Sequence, residues 1–507
     1  MSHSNMNYIF FFPDELRAES LGCYGHPLVQ TPNLDRLAQQ GVRFEQCHVQ
    51  NTVCSPSRCS LMTGWYPHVA GHRTLWHLLR PHEPSLFRYL KKSGYQLKWY
   101  GKNHLYNDEY LREILGNEAE MEPQEQIEAM IGTFGKRNPY AEDDPRFYSF
   151  LMEPEPEQAL DSTETAVSIN KAITFLQSEA ARQQPFMLYL PTLLPHAPYV
   201  VPEPYHSMYK GKTLPPLRPA QLEGKPSYHS FIRQYRRLHH IVDDTLEQVQ
   251  AVYLGMISYV DYMFGQLIEA LERSGLAEHT TIIVASDHGD YAGDYGLVEK
   301  WPNGFEDVLT RVPLIIRTPG NASGHVVQEQ VELFDIMATV LDLSGIEAEH
   351  DHFARSLVPQ LQGANGDPQR IVYAEGGYDS REPHCFEGDP VRDAWFANNP
   401  SSIYYPKARQ QQEQPASVSR GIMARTNEFK LIERTAEQSE LYDLIHDPQE
   451  LHNVYNDPAY REIRDKLRLD VLQWYVHTSD VVPRDNDPGR FLNKPTGAAL
   501  QDVPYKI

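Results

Sequence analysis

The sequence predicts an α/β fold: a large mixed, mostly parallel sheet between helices, followed by a smaller α+β region carrying an antiparallel sheet. Three observations lead there. Continuous apolar runs at 7–12, 185–190, 280–285 and 312–317 have the length and composition of buried parallel strands. Amphipathic stretches of helical period lie between them, as crossover connections require. After about residue 368 the strand-like pieces shorten and turn signals multiply.

Each element has a local reason. The run 7–12 stops at Pro13-Asp14-Glu15, and polar residues past such a strand stand where α/β sheets bind ligands. Thr31 and Pro32 open a short helix that Gly41 stops. A second helix starts directly after Cys54 and runs to Thr63. Residues 84–92 are amphipathic and end at Gly94; 96–100 is a strand leading into Gly101-Lys102. Residues 108–160 are acidic and proline-containing, and read as a variable insertion over the core. Helical period returns over 163–181, and the strand 185–190 leads into Leu194-Pro195-His196-Ala197-Pro198. A long amphipathic helix over 245–274 closes at Gly275. The strand 280–285 ends in Ser286-Asp287-His288-Gly289. Strand-like pieces at 371–374, 421–425 and 430–433 precede a final helix over 457–474, and the tail after Pro483 is expected to wrap the surface. The division expected is a catalytic domain over 1–368 and a C-terminal subdomain over 369–507.

Composition narrows the function. The chain has 507 residues and a formal net charge of −22, a poor match to nucleic acid or an anionic membrane. No apolar stretch reaches the roughly 20 residues of a membrane span. Five cysteines, four of them in the first 60 residues, do not form a secreted disulfide framework. With no basic leader segment in view, the expectation is a cytoplasmic protein; export with the leader removed is the alternative.

The segment Cys54-Ser55-Pro56-Ser57-Arg58, followed by Leu61-Met62-Thr63-Gly64, resembles the signature of type I sulfatases of the alkaline phosphatase superfamily. Further elements occur in the same order: Asp14, Gly101-Lys102-Asn103-His104, Pro195-His196-Ala197-Pro198, Asp287-His288-Gly289, Lys300-Trp301, and Glu440-Leu441-Tyr442-Asp443-Leu444 with Asp447-Pro448. The resemblance covers about 7–455, with 108–160 and 376–410 unmatched. It implies an alkaline-phosphatase-like fold, a formylglycine made from Cys54 by a formylglycine-generating enzyme, and one divalent cation. Ca²⁺ is usual in the family, with Mn²⁺ or Mg²⁺ as alternatives.

The chemistry fits these residue types. A sulfate monoester needs a nucleophile, charge neutralisation and a proton for the leaving oxygen. A thiol would be trapped on sulfur, whereas a hydrated aldehyde at 54 attacks with one hydroxyl and expels sulfate with the other. The resemblance assigns Asp14, Asp287, His288 and residue 54 to the cation, with Arg58 steadying them. It assigns Lys102 and Lys300 to sulfate oxygens, His196 to the leaving oxygen and His104 to the diol. Glu15 stands where most members have Asp or Gln, and is read as a ligand or as a neighbour of the cation. His72, Arg73 and Trp76, and also Tyr378, Arg381 and His384, are candidates for substrate contacts. Trp76 would stack on a ring, and Arg73 or Arg381 would pair a second anionic group. The expected activity is hydrolysis of a sulfated carbohydrate. The rivals are arylsulfatase action, phosphonate monoester or phosphodiester hydrolysis, and non-catalytic binding of a sulfated glycan.

Overall fold

The computed structural model describes residues 6–116, 138–241, 243–382, 386 and 398–482. Seven strands form the main sheet: β1 (Asn7–Phe11), β2 (Val42–His48), β3 (Gln96–Trp99), β4 (Phe186–Leu190), β5 (Thr280–Ala285), β6 (Arg311–Arg317) and β7 (His325–Glu332). Their order is β3-β4-β1-β5-β6-β2-β7. Only β6 runs antiparallel to its neighbours β5 and β2. The sheet is therefore mixed and mostly parallel, as expected.

The apolar runs are continuous because both faces are covered. Along β1, Ile9 and Phe11 join one core while Tyr8 and Phe10 join the other, following the two-residue period of a strand. The first face carries α1 (Pro32–Gln40), α4 (Glu164–Gln177) and α5 (Asp243–Arg273). The second carries α2 (Cys54–Thr63), α3 (Leu86–Lys92) and α6 (Asp335–Ser344). No helix among the described residues is long and apolar enough to cross a membrane.

The smaller sheet has the order β11-β10-β9-β8 and is antiparallel throughout. Its strands are β8 (Val372–Gly376), β9 (Gly421–Arg425), β10 (Phe429–Arg434) and β11 (Glu440–Asp443). Met423 and Ile432 pack on Phe305 of the main body, and Ala424 and Leu431 pack on Leu467 and Val471 of α8 (Arg461–Thr478). The helix α7 (Tyr405–Glu413) lies between β8 and β9 in the chain. Three strands were not expected from the sequence: β2, β7 and β11. In β2 and β7 polar residues interrupt the apolar ones, and β7 lies at the sheet edge where one side needs no partner. The helix expected over 163–181 breaks at Ser178, whose extended ψ of 159° ends α4. Within the inserted stretch 108–160, residues 117–137 lie outside the described residues, as does the tail from Pro483 onward.

Candidate active site

The two central strands bring the site together. β1 and β5 pair in parallel, so Asp14 and Asp287 leave neighbouring strands at the same end. The loops are stitched by Ser286, whose hydroxyl donates to Pro13 O (2.7 Å) and accepts from Leu16 N (2.9 Å). Helix α2 arrives from the side. Its first residue is Cys54, and Asn51 Oδ1 accepts from Val53 N at 2.8 Å to set the entry. The unpaired N–H groups of a first helical turn favour an anion. Ser57 Oγ donates to Asp287 O at 2.7 Å and locks the helix onto the strand end.

Arg58, one turn along α2, holds both carboxylates. Its Nη2 donates to Asp14 Oδ2 at 2.7 Å and its Nε to Asp287 Oδ2 at 2.9 Å, with all three side chains fully buried. Lys102 Nζ is 2.8 Å from Asp14 Oδ2. The Cys54 sulfur sits 3.3 Å from His288 Nε2, 3.7 Å from Lys102 Nζ and 3.8 Å from Asp14 Oδ1. Burial and Asp14 push the Cys54 thiol up, but Lys102, Lys300 and His288 outweigh them and leave it below its ordinary value. Burial would likewise raise Asp14, yet Lys102, His196 and Arg58 hold it well below the usual carboxylate range. A cysteine in such surroundings is chemically exposed to its neighbours despite its burial.

A second cluster lies beside the first. Lys300 contacts the Glu15 carboxylate, and its Nζ is 3.1 Å from His196 Nε2. His196 Nε2 is 3.3 Å from Glu15 Oε1, and its Nδ1 faces Ala197 O. Burial pushes Glu15 up, with Lys300 opposing and Asp290 adding to the rise. Burial, then Lys102 and Lys300, lower His196 well below the ordinary imidazole value. His104 is lowered for the same reasons, burial first and then Lys102 and Arg58.

Asp14, Cys54, Asp287 and His288 are buried and offer ligand atoms that lie within 4.8 Å of one another. Two carboxylates, an imidazole and a donor at 54 suit a hard or borderline divalent cation. Arg58 Nη1 and His104 Nδ1 are buried and make no hydrogen bond within the described residues. The set thus fits a cation together with an anionic ligand.

The candidate substrate residues are dispersed. His72 Nδ1 donates to His77 O (2.8 Å) and the ring pairs with Glu83 at 3.2 Å, which makes it part of a buried pair. Arg73 pairs with Glu375 at 3.1 Å. Asn51, three residues before Cys54, donates to Glu375 O at 2.7 Å, so Arg73 stands near the Cys54 end of α2. Trp76 Nε1 donates to Phe386 O at 3.0 Å. Tyr378 is buried, and its backbone N–H donates to Val418 O. Arg381 is 87% exposed and pairs with Asp379. His384 lies outside the described residues.

Sequence reasoning missed Glu299. This buried residue joins Lys407 of α7 at 3.0 Å and Arg236 at 3.1 Å, and lies 3.7 Å from Lys300. Its place directly before Lys300 was the available signal. Lys407 and Arg236 carried none, because nothing local marks them.

Comparison with known proteins gives the chain a family. The family model for Sulfatase matches residues 6–346, and that for the C-terminal part of N-sulphoglucosamine sulphohydrolase matches 390–476. The multifunctional alkaline phosphatase superfamily protein PehA of Trinickia caryophylli is 27% identical, over 93% of each chain. The N-acetylglucosamine-6-O-sulfatase of Bacteroides thetaiotaomicron is 25% identical, over 95% of this chain and 87% of that one. The solved phosphonate monoester hydrolase from Silicibacter pomeroyi superposes with a TM-score of 0.72 at 25% identity, covering 94% of this chain and 96% of that one. The chain belongs to the sulfatase family of the alkaline phosphatase superfamily, whose members hydrolyse sulfate esters.

Proposed function

We propose that this sulfatase acts on a sulfated carbohydrate, with Cys54 converted to formylglycine and a divalent cation held by Asp14, Asp287, His288 and residue 54. The observation that carries the reading is the convergence on Cys54 of His288, Lys102 and Asp14 within 3.8 Å, with Arg58 behind them. The donor set suits Ca²⁺, with Mn²⁺ and Mg²⁺ as alternatives. Such a cation supplies charge neutralisation to sulfate oxygens. The modified residue supplies a diol, one hydroxyl of which attacks sulfur while the other later expels sulfate.

The remaining work falls to the chain's own side chains. Arg58 holds the buried Asp14 and Asp287 carboxylates together at the strand ends. Lys102 and Lys300 bring positive charge to the sulfate oxygens from two sides. His196 Nε2 hands a proton to the leaving oxygen as the S–O bond breaks. His104, whose Nδ1 makes no hydrogen bond among the described residues, accepts the diol proton when sulfate departs. The carbohydrate assignment is supported by the N-acetylglucosamine-6-O-sulfatase relative and by Arg73, which Glu375 and Asn51 hold near the Cys54 end of α2.

A second reading is phosphonate monoester hydrolysis, favoured by the likeness to the Silicibacter pomeroyi enzyme. The test is product release from defined sulfated mono- and disaccharides, an aryl sulfate and a phosphonate monoester. The protein is co-expressed with a formylglycine-generating enzyme, and Cys54→Ala serves as the blank. Sulfate release from one saccharide above the blank is expected. Turnover of the phosphonate alone, from protein whose residue 54 is shown by mass to be formylglycine, selects the second reading.

A further inference from the structure

Glu15 occupies a position where a carboxylate would be expected to bind the cation, yet its side chain is engaged elsewhere. The ligand atoms gathered at Cys54 come from Asp14, Asp287 and His288 and do not include Glu15. The Glu15 backbone is left-handed, with φ of 65°. It is held there from both ends: its N–H donates to Asp287 Oδ1 at 3.3 Å, and Tyr253 OH donates to its carbonyl at 2.6 Å. A non-glycine residue keeps such a conformation only where its surroundings enforce it. Beyond this turn both carboxylate oxygens are used. Oε1 contacts Lys300 Nζ and lies 3.3 Å from His196 Nε2, and Oε2 accepts from Ala197 N at 3.2 Å.

Asp14, Glu15 and His196 do form a second group with ligand atoms within 4.8 Å. The Lys300 ammonium already lies in it, against Glu15 and 3.1 Å from His196 Nε2. A fixed ammonium there neutralises the carboxylate as a second cation would.

We propose that Glu15 is a positioning residue for the leaving-group side of the site, holding His196 and Lys300, and not a ligand of the cation. The inference rests on the function proposed above. Glu15 grips the His196 segment at two points, the Ala197 N–H and the ring itself. Because Nδ1 faces Ala197 O, Nε2 is the ring atom left to meet the leaving oxygen. Glu15 and Lys300 fix where that atom stands. An aspartate, one methylene shorter, would fall short of this grip.

The test is Glu15→Gln and Glu15→Asp in the formylglycine form. The readouts are kcat/KM on an alkyl (saccharide) sulfate and on an activated aryl sulfate, and Ca²⁺ affinity by calorimetry. Loss of a positioned general acid is expected to cost the saccharide ester about 100-fold and the aryl ester less than about 10-fold. The Ca²⁺ dissociation constant is expected to stay within about threefold of wild type, since loss of even a group that supports a cation's ligands costs ~10-fold or more. Weakened Ca²⁺ binding with equal losses on both esters overturns the proposal. Should the Gln variant not fold, the Asp variant is read by the same two criteria. A wild-type enzyme inactive on every sulfate ester would instead count against the proposed function, so the two failures are distinguishable.

Discussion

Two regions of this molecule bury carboxylates against basic side chains, and they use them differently. One is the junction between the main body and the antiparallel sheet. There Asp307 pairs with Lys430 at 2.6 Å and Arg425 at 2.9 Å, and Lys430 also contacts Glu450. Glu306 is held by His229 (2.7 Å), Lys225 (3.2 Å) and Tyr291 (2.8 Å), and Arg434 meets Glu440 at 2.7 Å. The other region is the site, where one guanidinium serves two carboxylates. There Cys54 and His288 stand 3.3 to 3.8 Å from their neighbours. At the junction the charges close on one another and fasten two sheets. At the site Arg58 Nη1 and His104 Nδ1 are left over. Buried charge costs several kcal/mol to desolvate unless it is paired. The junction recovers that cost internally, while the site recovers part of it from what binds there.

The largest expected effect breaks the site alone. Cys54→Ala should lower sulfate release by at least about 10⁴-fold, since covalent catalysis is lost. Its melting temperature should stay within a few degrees of wild type, because Arg58 still holds both carboxylates. Retained turnover above background would remove Cys54 from the chemistry. Chelation comes next: exhaustive treatment should abolish activity without unfolding the protein, as followed by circular dichroism. Re-addition of Ca²⁺, Mn²⁺ or Mg²⁺ should rank the ions by recovered rate.

The junction should respond in the opposite sense. Asp307→Asn strands Arg425 and leaves Lys430 with Glu450 as its carboxylate partner, and breaking a buried pair costs roughly 3–5 kcal/mol. Urea unfolding should show that loss while the KM of the folded fraction is unchanged. A shifted KM would mean the junction also shapes the site.

Glu299 joins the two behaviours, being paired like a junction residue but adjacent to Lys300. Burial would raise it, yet Lys407, Lys300 and Arg236 bring it down to about 2. A carboxylate lowered by folding stabilises above its unfolded pKa and loses that contribution as pH falls toward the folded value. The window is therefore about pH 4.5 down to 2, and the contribution is of order 3 kcal/mol. Glu299→Gln should be less stable than wild type at neutral pH, with the difference vanishing toward pH 2. A pH-independent difference would contradict the pairing. The smallest effect belongs to Arg381→Ala: this exposed side chain pairs with Asp379, and solvent screens such an exposed pair. Activity should change less than about twofold; a larger loss would bring Arg381 to the substrate.

Much of the architecture could be read in advance because its signals are local. A strand covered on both faces must be apolar throughout, so β1, β4, β5 and β6 announced themselves. β2 and β7 did not, since polar residues interrupt their apolar pattern. The helix that starts at Cys54 and the strand-end carboxylates were legible because residue type and spacing are local properties. Glu299 was not, because its partners Lys407 and Arg236 are distant in sequence and carry no motif.

By itself the sequence determined the strand-and-helix alternation, the Cys54–Arg58 helix start and the family. Each depends on neighbours within a few residues. The tertiary structure alone decided that Arg58 bridges two strand ends, that Arg73 answers Glu375, and that Glu15 faces His196 and Lys300. Those choices depend on side-chain reach and on the left-handed turn at Glu15, and only the packed fold sets which partner a charged group can touch.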